Sequence, residues 1–271
     1  MSSYIAARRQ EEKDRRRNEI LDAAEAVFAQ VGVERATMDQ VARLARLSRA
    51  LLYVYFEDKI DLLMGVCERG LLELRRRFVA AAARHDAGVD KIEAIGRAYV
   101  AFASECPVYF EALARFEMLH PDPEDFFNEQ QGCVVAGDAV HDFIVEVLGI
   151  GVRDGSIRKD LGDRDLTAIT LWGYMHGIIQ LTATKGALLA HDGISPEQLV
   201  RHALQMARHS LASPAQSSGG KQGSAGKEAS AGKEASAGQN SGKKGKNEKK
   251  ERRVAAAAGT RKAARQSGAR R

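Results

Sequence analysis

Residues 37–63 read TMDQVARLARLSRALLYVYFEDKIDLL, and the boundaries inside this stretch decide the fold. The Thr37 hydroxyl is placed to cap a helix, and Gln40 three residues on completes a capping box. Val41, Leu44 and Ala45 then give that helix one apolar face, and Ala42 is small enough for another helix to approach closely. Only Arg46 and Leu47 separate this helix from the next cap, Ser48. Leu47 before that cap and Leu52 four residues into the helix form a hydrophobic staple, which sets the angle of entry. The second helix ends near Phe56, and Asp58 with Asp61 reads as the cap of a third. Two short helices across a tight turn, the second polar at its start, make a helix-turn-helix.

In the second helix Leu52 and Phe56, four apart, point inward and leave Arg49, Ala50, Tyr53 and Tyr55 for another surface. Tyrosine hydroxyls, the Lys59 ammonium and helix N-terminal amides are all phosphate-contacting groups. The run VARLARLSRALLYVYFEDKIDLL resembles the DNA-binding signature of the TetR family of bacterial regulators, roughly I-A-x-x-A-G-V-S-x-G-T-L-Y-x-Y-F-x-x-K-x-x-L. Val41, Ala42, Ala45, Ser48, Leu52, Tyr53, Tyr55, Phe56, Lys59 and Leu62 fit that pattern. The resemblance implies a DNA-facing set of Thr37, Arg46, Ser48, Arg49, Ala50, Leu51, Tyr53, Tyr55 and Lys59.

Some positions depart from the family. Arg46 stands at the turn position where Gly is usual, and a left-handed backbone there costs a non-Gly residue roughly 1–2 kcal/mol. Ala50 and Leu51 replace the common Gly and Thr, which removes one hydroxyl contact to DNA. Asp39 falls where some relatives carry a basic residue.

Outward from this core, the net charge of +5 conceals two opposed parts. Residues 213–271 hold 15 Lys or Arg against 4 Glu, a balance of +11, so residues 1–212 total −6. An anionic polymer is the natural partner of such a tail. Its Ser, Gly, Ala and Lys composition, with the repeat SAGKEA from Ser224 and again from Ser230, has too little apolar surface to offset chain entropy, so disorder is expected. Cys67, Cys106 and Cys133 have no metal-ligand spacing and leave one thiol over in any disulfide scheme, which suits a reducing cytoplasm. Met1 is followed by polar and then charged residues, unlike a secretory leader. Leu166–Thr184 lacks Asp, Glu, Lys and Arg, yet four Thr, a Gln, a His and two Gly make it too polar for a membrane span. A helix buried between subunits explains it better.

The first helix is expected over 15–31, where Ile20, Ala24, Val27, Phe28 and Val31 recur at helical spacing before Gly32. Residues 1–14 form a flexible charged arm, either solvated or reaching phosphates and the minor groove through Arg8, Arg9 and Arg15 to Arg17. From Asp58 the chain reads as helix almost to Ser213: 59–85, 90–105, one from about Val108, 124–152 with a break near Gly132 and Gly137, 163–185 and 196–211. His120-Pro121-Asp122-Pro123 is a loop. The fold class is therefore all-α. A helix-turn-helix domain (15–61) is followed by a six-helix-type ligand-binding and dimerisation domain (62–212) and the basic tail (213–271).

The later helices also resemble TetR regulators, through Trp172, His176 and Gly177 and through CPVYFEALARF. That resemblance implies an apolar pocket for a small-molecule effector, with Tyr99, Phe102, Tyr109, Phe110, Phe116, Phe143, Trp172, Met175 and His176 as candidate lining residues. It also implies a homodimer through the last two helices, with Ile169, Gly173, His176, Leu199, Ala203 and Met206 as candidate contacts. No Gly-rich phosphate loop, G-x-S-x-G, H-E-x-x-H or zinc-spaced Cys pair is present, so catalytic residues, metals and cofactors are not expected. The expected function is a ligand-responsive regulator of double-stranded DNA, a repressor released from a palindromic operator by a small apolar effector. The alternatives are a nucleoid-associated architectural protein dominated by its tail, and a regulator that acts without a ligand.

Overall fold

A computed structural model of the chain describes residues 2–118 and 131–214. The expected loop at His120–Pro123, residues 124–130 of the expected seventh helix and the tail beyond Pro214 lie outside the described residues. Among the described residues ten helices follow one another: α1 (Ser2–Arg35), α2 (Met38–Leu44), α3 (Arg49–Tyr55), α4 (Lys59–Ala82), α5 (Gly88–Glu105), α6 (Pro107–Met118), α7 (Gln131–Asp154), α8 (Arg164–Thr184), α9 (Gly186–His191) and α10 (Pro196–Leu211). There is no strand among them, only an isolated bridge between Ile157 and Ala212. No described helix is long and apolar enough to cross a membrane.

The caps read from the sequence form as expected. Thr37 and Gln40 make a reciprocal capping box, Ser48 accepts from the Leu51 amide, and Asp58 accepts from Ile60 and Asp61. Asp163 caps α8, and a capping box not read from the sequence, Ser195 with Gln198, starts α10. Arg46 adopts φ 57°, so the turn does use the left-handed conformation that glycine supplies elsewhere.

Several expectations need correction. The arm at 1–14 continues helix α1 back to Ser2, held by i, i+3 and i, i+4 pairs such as Gln10–Asp14 and Arg15–Glu12. The helix breaks at Gly32 (φ 75°) as expected, but one further turn follows to Arg35. Leu44 is half exposed, and Met38, Val41 and Ala42 supply the buried face of α2 instead. Gly132 and Gly137 do not interrupt α7, because both face neighbours that need a small residue or open space rather than a bend. A Cβ on Gly132 would sit 2.8 Å from the Glu68 carboxylate, and one on Gly137 would meet only Leu71. The short helix α9 had no signal in the sequence.

Helix α4 is the axis of the molecule, packing on α1 at one end and on α5, α6 and α7 along its length. Leu62, Val66 and Cys67 are completely buried in it, and Gly65 lets Leu21 and Phe56 approach. Gly88 at the start of α5 crosses Gly151 of α7 backbone against backbone. Asp154 and Ser156 then accept from the Gly88 and Val89 amides at 2.8 and 3.0 Å, closing the otherwise orphaned N-terminus of α5.

Candidate DNA-binding face and effector cavity

Helix α3 buries Leu52 and ends on buried Phe56, so its opposite face is left outside. Arg49, Ala50, Leu51 and Tyr53 lie on that face together with exposed Thr37, Arg46 and Ser48 around the turn. Val54, 72% exposed, is the most open apolar residue of the helix and was not singled out in the sequence. Tyr55 is half-buried and packs on the core, with less of its surface available than Tyr53.

Two basic residues of this face are already engaged. The Arg49 guanidinium pairs with Asp39 at 3.3 Å, donates to the Tyr53 hydroxyl at 3.4 Å and lies 5.5 Å from that ring. Asp39 therefore acts as an internal counterion that Arg49 must leave to reach a base. Lys59 donates to the carbonyls of Val33 at 3.2 Å and Glu34 at 3.0 Å, tying the start of α4 to the end of α1. An ammonium has three N–H donors, and these bonds use two of them.

The DNA-facing part is joined to the rest through charged struts that only the fold assembles. Arg69 of α4 donates to Asp22 and Glu25 of α1 at 2.7 and 2.8 Å. Burial and the nearby Glu25 carboxylate push the Tyr109 hydroxyl up to about 12. Arg115 of α6 pairs with Glu34 of α1. Arg17 pairs with Glu68 at 3.2 Å while its guanidinium sits 5.4 Å over the Phe56 ring.

Behind these struts α4, α5, α6, α7, α8 and α10 line a partly open cavity of ≈ 550 Å³. Its wall is largely apolar, including Leu71, Phe78, Ile92, Tyr99, Val140, Ile144 and Leu204. Of the residues singled out in the sequence, Tyr99, Phe116, Trp172 and Met175 lie on the wall, and so does Ile169, which was expected at a subunit contact. Phe102, Tyr109, Phe110, Phe143 and His176 are not on it. Phe102 is fully buried and stacks on Tyr109, and Phe143 packs on the core. Phe110 stacks on His176 with ring centroids 5.1 Å apart. The His176 Nδ1 shares a 2.7 Å hydrogen bond with the Tyr99 hydroxyl, and burial holds the imidazole below its ordinary value. His176 thus orients Tyr99, itself a wall residue. The charged groups at the cavity edge are largely paired within the chain: Arg208 with Asp90 and Glu93 at 2.6 and 2.8 Å, and His141 with Asp165 at 3.3 Å. Among the described residues no cluster of His, Cys, Asp and Glu could hold a metal ion.

Leu166, Ile169, Trp172 and Leu181 of α8 are exposed, Ile169 and Trp172 while also lining the cavity, and neither Gly173 nor Gly177 has a neighbour within 4 Å of the position a Cβ would take. Met206 of α10 is exposed, Leu199 is half-buried, and Ala203 is buried against the chain's own α8, where its carbonyl accepts from Tyr174.

An exposed recognition helix linked through one long helix to an apolar cavity is the arrangement of a one-component transcriptional regulator. Residues 20–65 match the model for bacterial regulatory proteins of the tetR family, and residues 92–207 match that for tetracyclin repressor-like C-terminal domains. The chain belongs to the TetR family, and it is a DNA-binding transcriptional regulator rather than an enzyme. It is similar to the HTH-type transcriptional regulator TtgR of Pseudomonas putida, with 25% identity over 65% of this chain and 84% of that protein. It is also 33% identical to the probable acrEF/envCD operon repressor of Escherichia coli, over 30% of this chain and 38% of that one. The fold is shared with the transcriptional regulator FadR from Bacillus subtilis in complex with stearoyl-CoA, at a TM-score of 0.55 and 16% identity, covering 71% of this chain and 97% of that one.

Proposed function

We propose that this regulator is a homodimeric repressor that leaves its operator when a small apolar effector fills the cavity. Residues 15–61 form the DNA-binding domain and residues 62–212 the effector-binding and dimerisation domain. The observation that carries this reading is the apolar cavity of ≈ 550 Å³ walled by α4, the helix that only a short link, Phe56 to Asp58, separates from the recognition helix. Because Arg208 and His141 at its edge already have carboxylate partners, an anionic effector would gain little from them. FadR from Bacillus subtilis, which shares the fold, is in complex with stearoyl-CoA, and the long acyl chain of that ligand supports an apolar occupant. The name of the E. coli relative supports repression.

In this reading Arg49, Ala50, Leu51 and Tyr53 face bases, with Thr37, Arg46, Ser48, Tyr55 and Lys59 on phosphates. Phe116, Trp172 and Met175 touch effector, and His176 acts through Tyr99. The exposed strip Ile169, Gly173 and Gly177 of α8, with Leu199 and Met206 of α10, meets a second copy. Effector binding biases a two-state shift of α4 that changes the spacing of the two recognition helices. A protein acting on the chromosome in this way works in the cytoplasm.

Selection of binding sites from random DNA by the full chain tests the proposal. One palindromic site preferred by about 10³ or more over random DNA is the expected result. No preferred site would favour the architectural reading, in which the +11 of residues 213–271 dominates by counterion release. Removing residues 214–271 separates the two. A repressor keeps its site preference and loses mainly salt-sensitive, sequence-independent affinity, whereas an architectural protein loses nearly all binding.

A further inference from the structure

Cys67 on α4 and Cys133 on α7 are 66 residues apart in sequence, yet their sulfurs lie 3.0 Å apart. Both are buried, so neither thiol is exposed to a second protein. A disulfide closes at about 2.05 Å, so the pair needs roughly one ångström of further approach. Cys133 also lies on the cavity wall, which gives a small neutral oxidant a route to its sulfur without unfolding. The third thiol, Cys106, stands apart, with its sulfur 3.4 Å from the Arg77 guanidinium.

We propose that Cys67 and Cys133 are an oxidation site, converted to an intramolecular disulfide by a hydroperoxide that enters the cavity. The Cys133 sulfur attacks a peroxide oxygen and breaks the O–O bond. This leaves a sulfenic acid on Cys133, and the other oxygen departs as water or an alcohol. The Cys67 sulfur then attacks the Cys133 sulfur, the S–S bond forms, the S–O bond breaks, and water leaves. Two thiols lose two protons and two electrons, and the hydroperoxide gains both.

The bond draws α7 against α4 at a place with no slack on the DNA side. Gly65, two residues before Cys67, already has Leu21 and Phe56 atoms 2.8 and 3.0 Å from its Cβ position. Glu68, next to Cys67, lies under Gly132 of α7 and holds Arg17, which covers the Phe56 ring that ends the recognition helix. Oxidation therefore displaces the recognition helix and weakens operator binding. This second step rests on the operator reading above, and the crosslink itself does not.

The test uses the full chain, purified reduced, then treated with hydrogen peroxide, denatured and alkylated. Alkylated thiols should fall from three per chain to one, with a Cys67–Cys133 peptide recovered by mass spectrometry and reversal by dithiothreitol. Cys106→Ser should still form the bond, and Cys133→Ser should not. Three reactive thiols after treatment, a bond to Cys106, or a bond between chains overturns the site, and mapping on the unaltered protein needs no variant to fold. On the selected operator the oxidised protein should bind ~10-fold more weakly and recover on reduction. A mapped disulfide with unchanged operator affinity overturns the regulatory step, while binding by the reduced protein keeps the operator reading distinct.

Discussion

Gly88→Ala tests the helix crossing on which the cavity depends. A Cβ built on Gly88 lies 2.2 and 2.3 Å from the Cα and N of Gly151 and 3.2 Å from the Ile150 carbonyl carbon. These are backbone atoms, so no rotamer change relieves the clash, and α5 must move off α7 by roughly an ångström. Val89, Val147 and Leu148 are almost fully buried at that crossing and lose contact with their neighbours. Overpacking of this kind costs about 1–3 kcal/mol. The hydrogen bonds from the Gly88 and Val89 amides to Asp154 and Ser156 lengthen as well, at about 0.5–1.5 kcal/mol each. Better helix propensity returns at most about 1 kcal/mol. The net expectation is a loss of about 2–4 kcal/mol, read by urea denaturation followed by circular dichroism. Gly137→Ala is the control, since its Cβ meets only the tip of Leu71 at 3.9 Å and should add about 0.5–1 kcal/mol. A Gly88→Ala protein as stable as the original would show that α5 and α7 do not cross at these glycines.

Arg49→Ala should weaken the selected operator about 10- to 100-fold and relax the choice at one base pair, as measured by titration on a panel of substituted sites. Equal losses on operator and random DNA would make Arg49 a phosphate contact instead. Lys59→Ala should reduce affinity on all sequences and flatten the salt slope by about one unit. It should also cost about 1–2 kcal/mol of stability, because the α1 carbonyls of Val33 and Glu34 lose their donor. A changed base preference would contradict that assignment. His176 is held below its ordinary 6.5, so the unfolded chain binds the proton more tightly than the folded one. Stability from this group is present above pH 6.5 and falls as the pH drops through the depressed folded value. In denaturant titrations across that window, His176→Gln should have a flatter pH profile, and an identical slope would rule His176 out as the cause. Gly173→Arg places a charge on the exposed apolar strip of α8 and should give monomers in sedimentation velocity, and a stable dimer would move the interface elsewhere.

The helix-turn-helix was legible because its determinants are local. A cap acts within one turn, and Thr37, Ser48, Asp58 and Asp163 each bond an amide two or three residues away. The inward turn of Leu52 and Phe56 followed from helical spacing, and the left-handed Arg46 from its place where the TetR pattern usually has Gly. The all-α class and the absence of charge in α8 beyond its first turn were equally open to inspection.

What a side chain faces across the molecule was not. Eight aromatic and soft residues were equally plausible cavity lining by composition, yet only Tyr99, Phe116, Trp172 and Met175 reach the wall. Hydropathy records that a residue avoids water, and core and cavity satisfy that equally. Lys59 at the end of α1, Asp39 beside Arg49, Gly88 on Gly151 and Cys67 against Cys133 join residues that are from 10 to 66 positions apart. No periodicity encodes such distances, because they are set by how α4, α5 and α7 cross. Short-range hydrogen bonds and helical spacing determined the elements and their order, and the crossing of those helices alone decided which residues line the cavity and which hold it to the DNA-binding face.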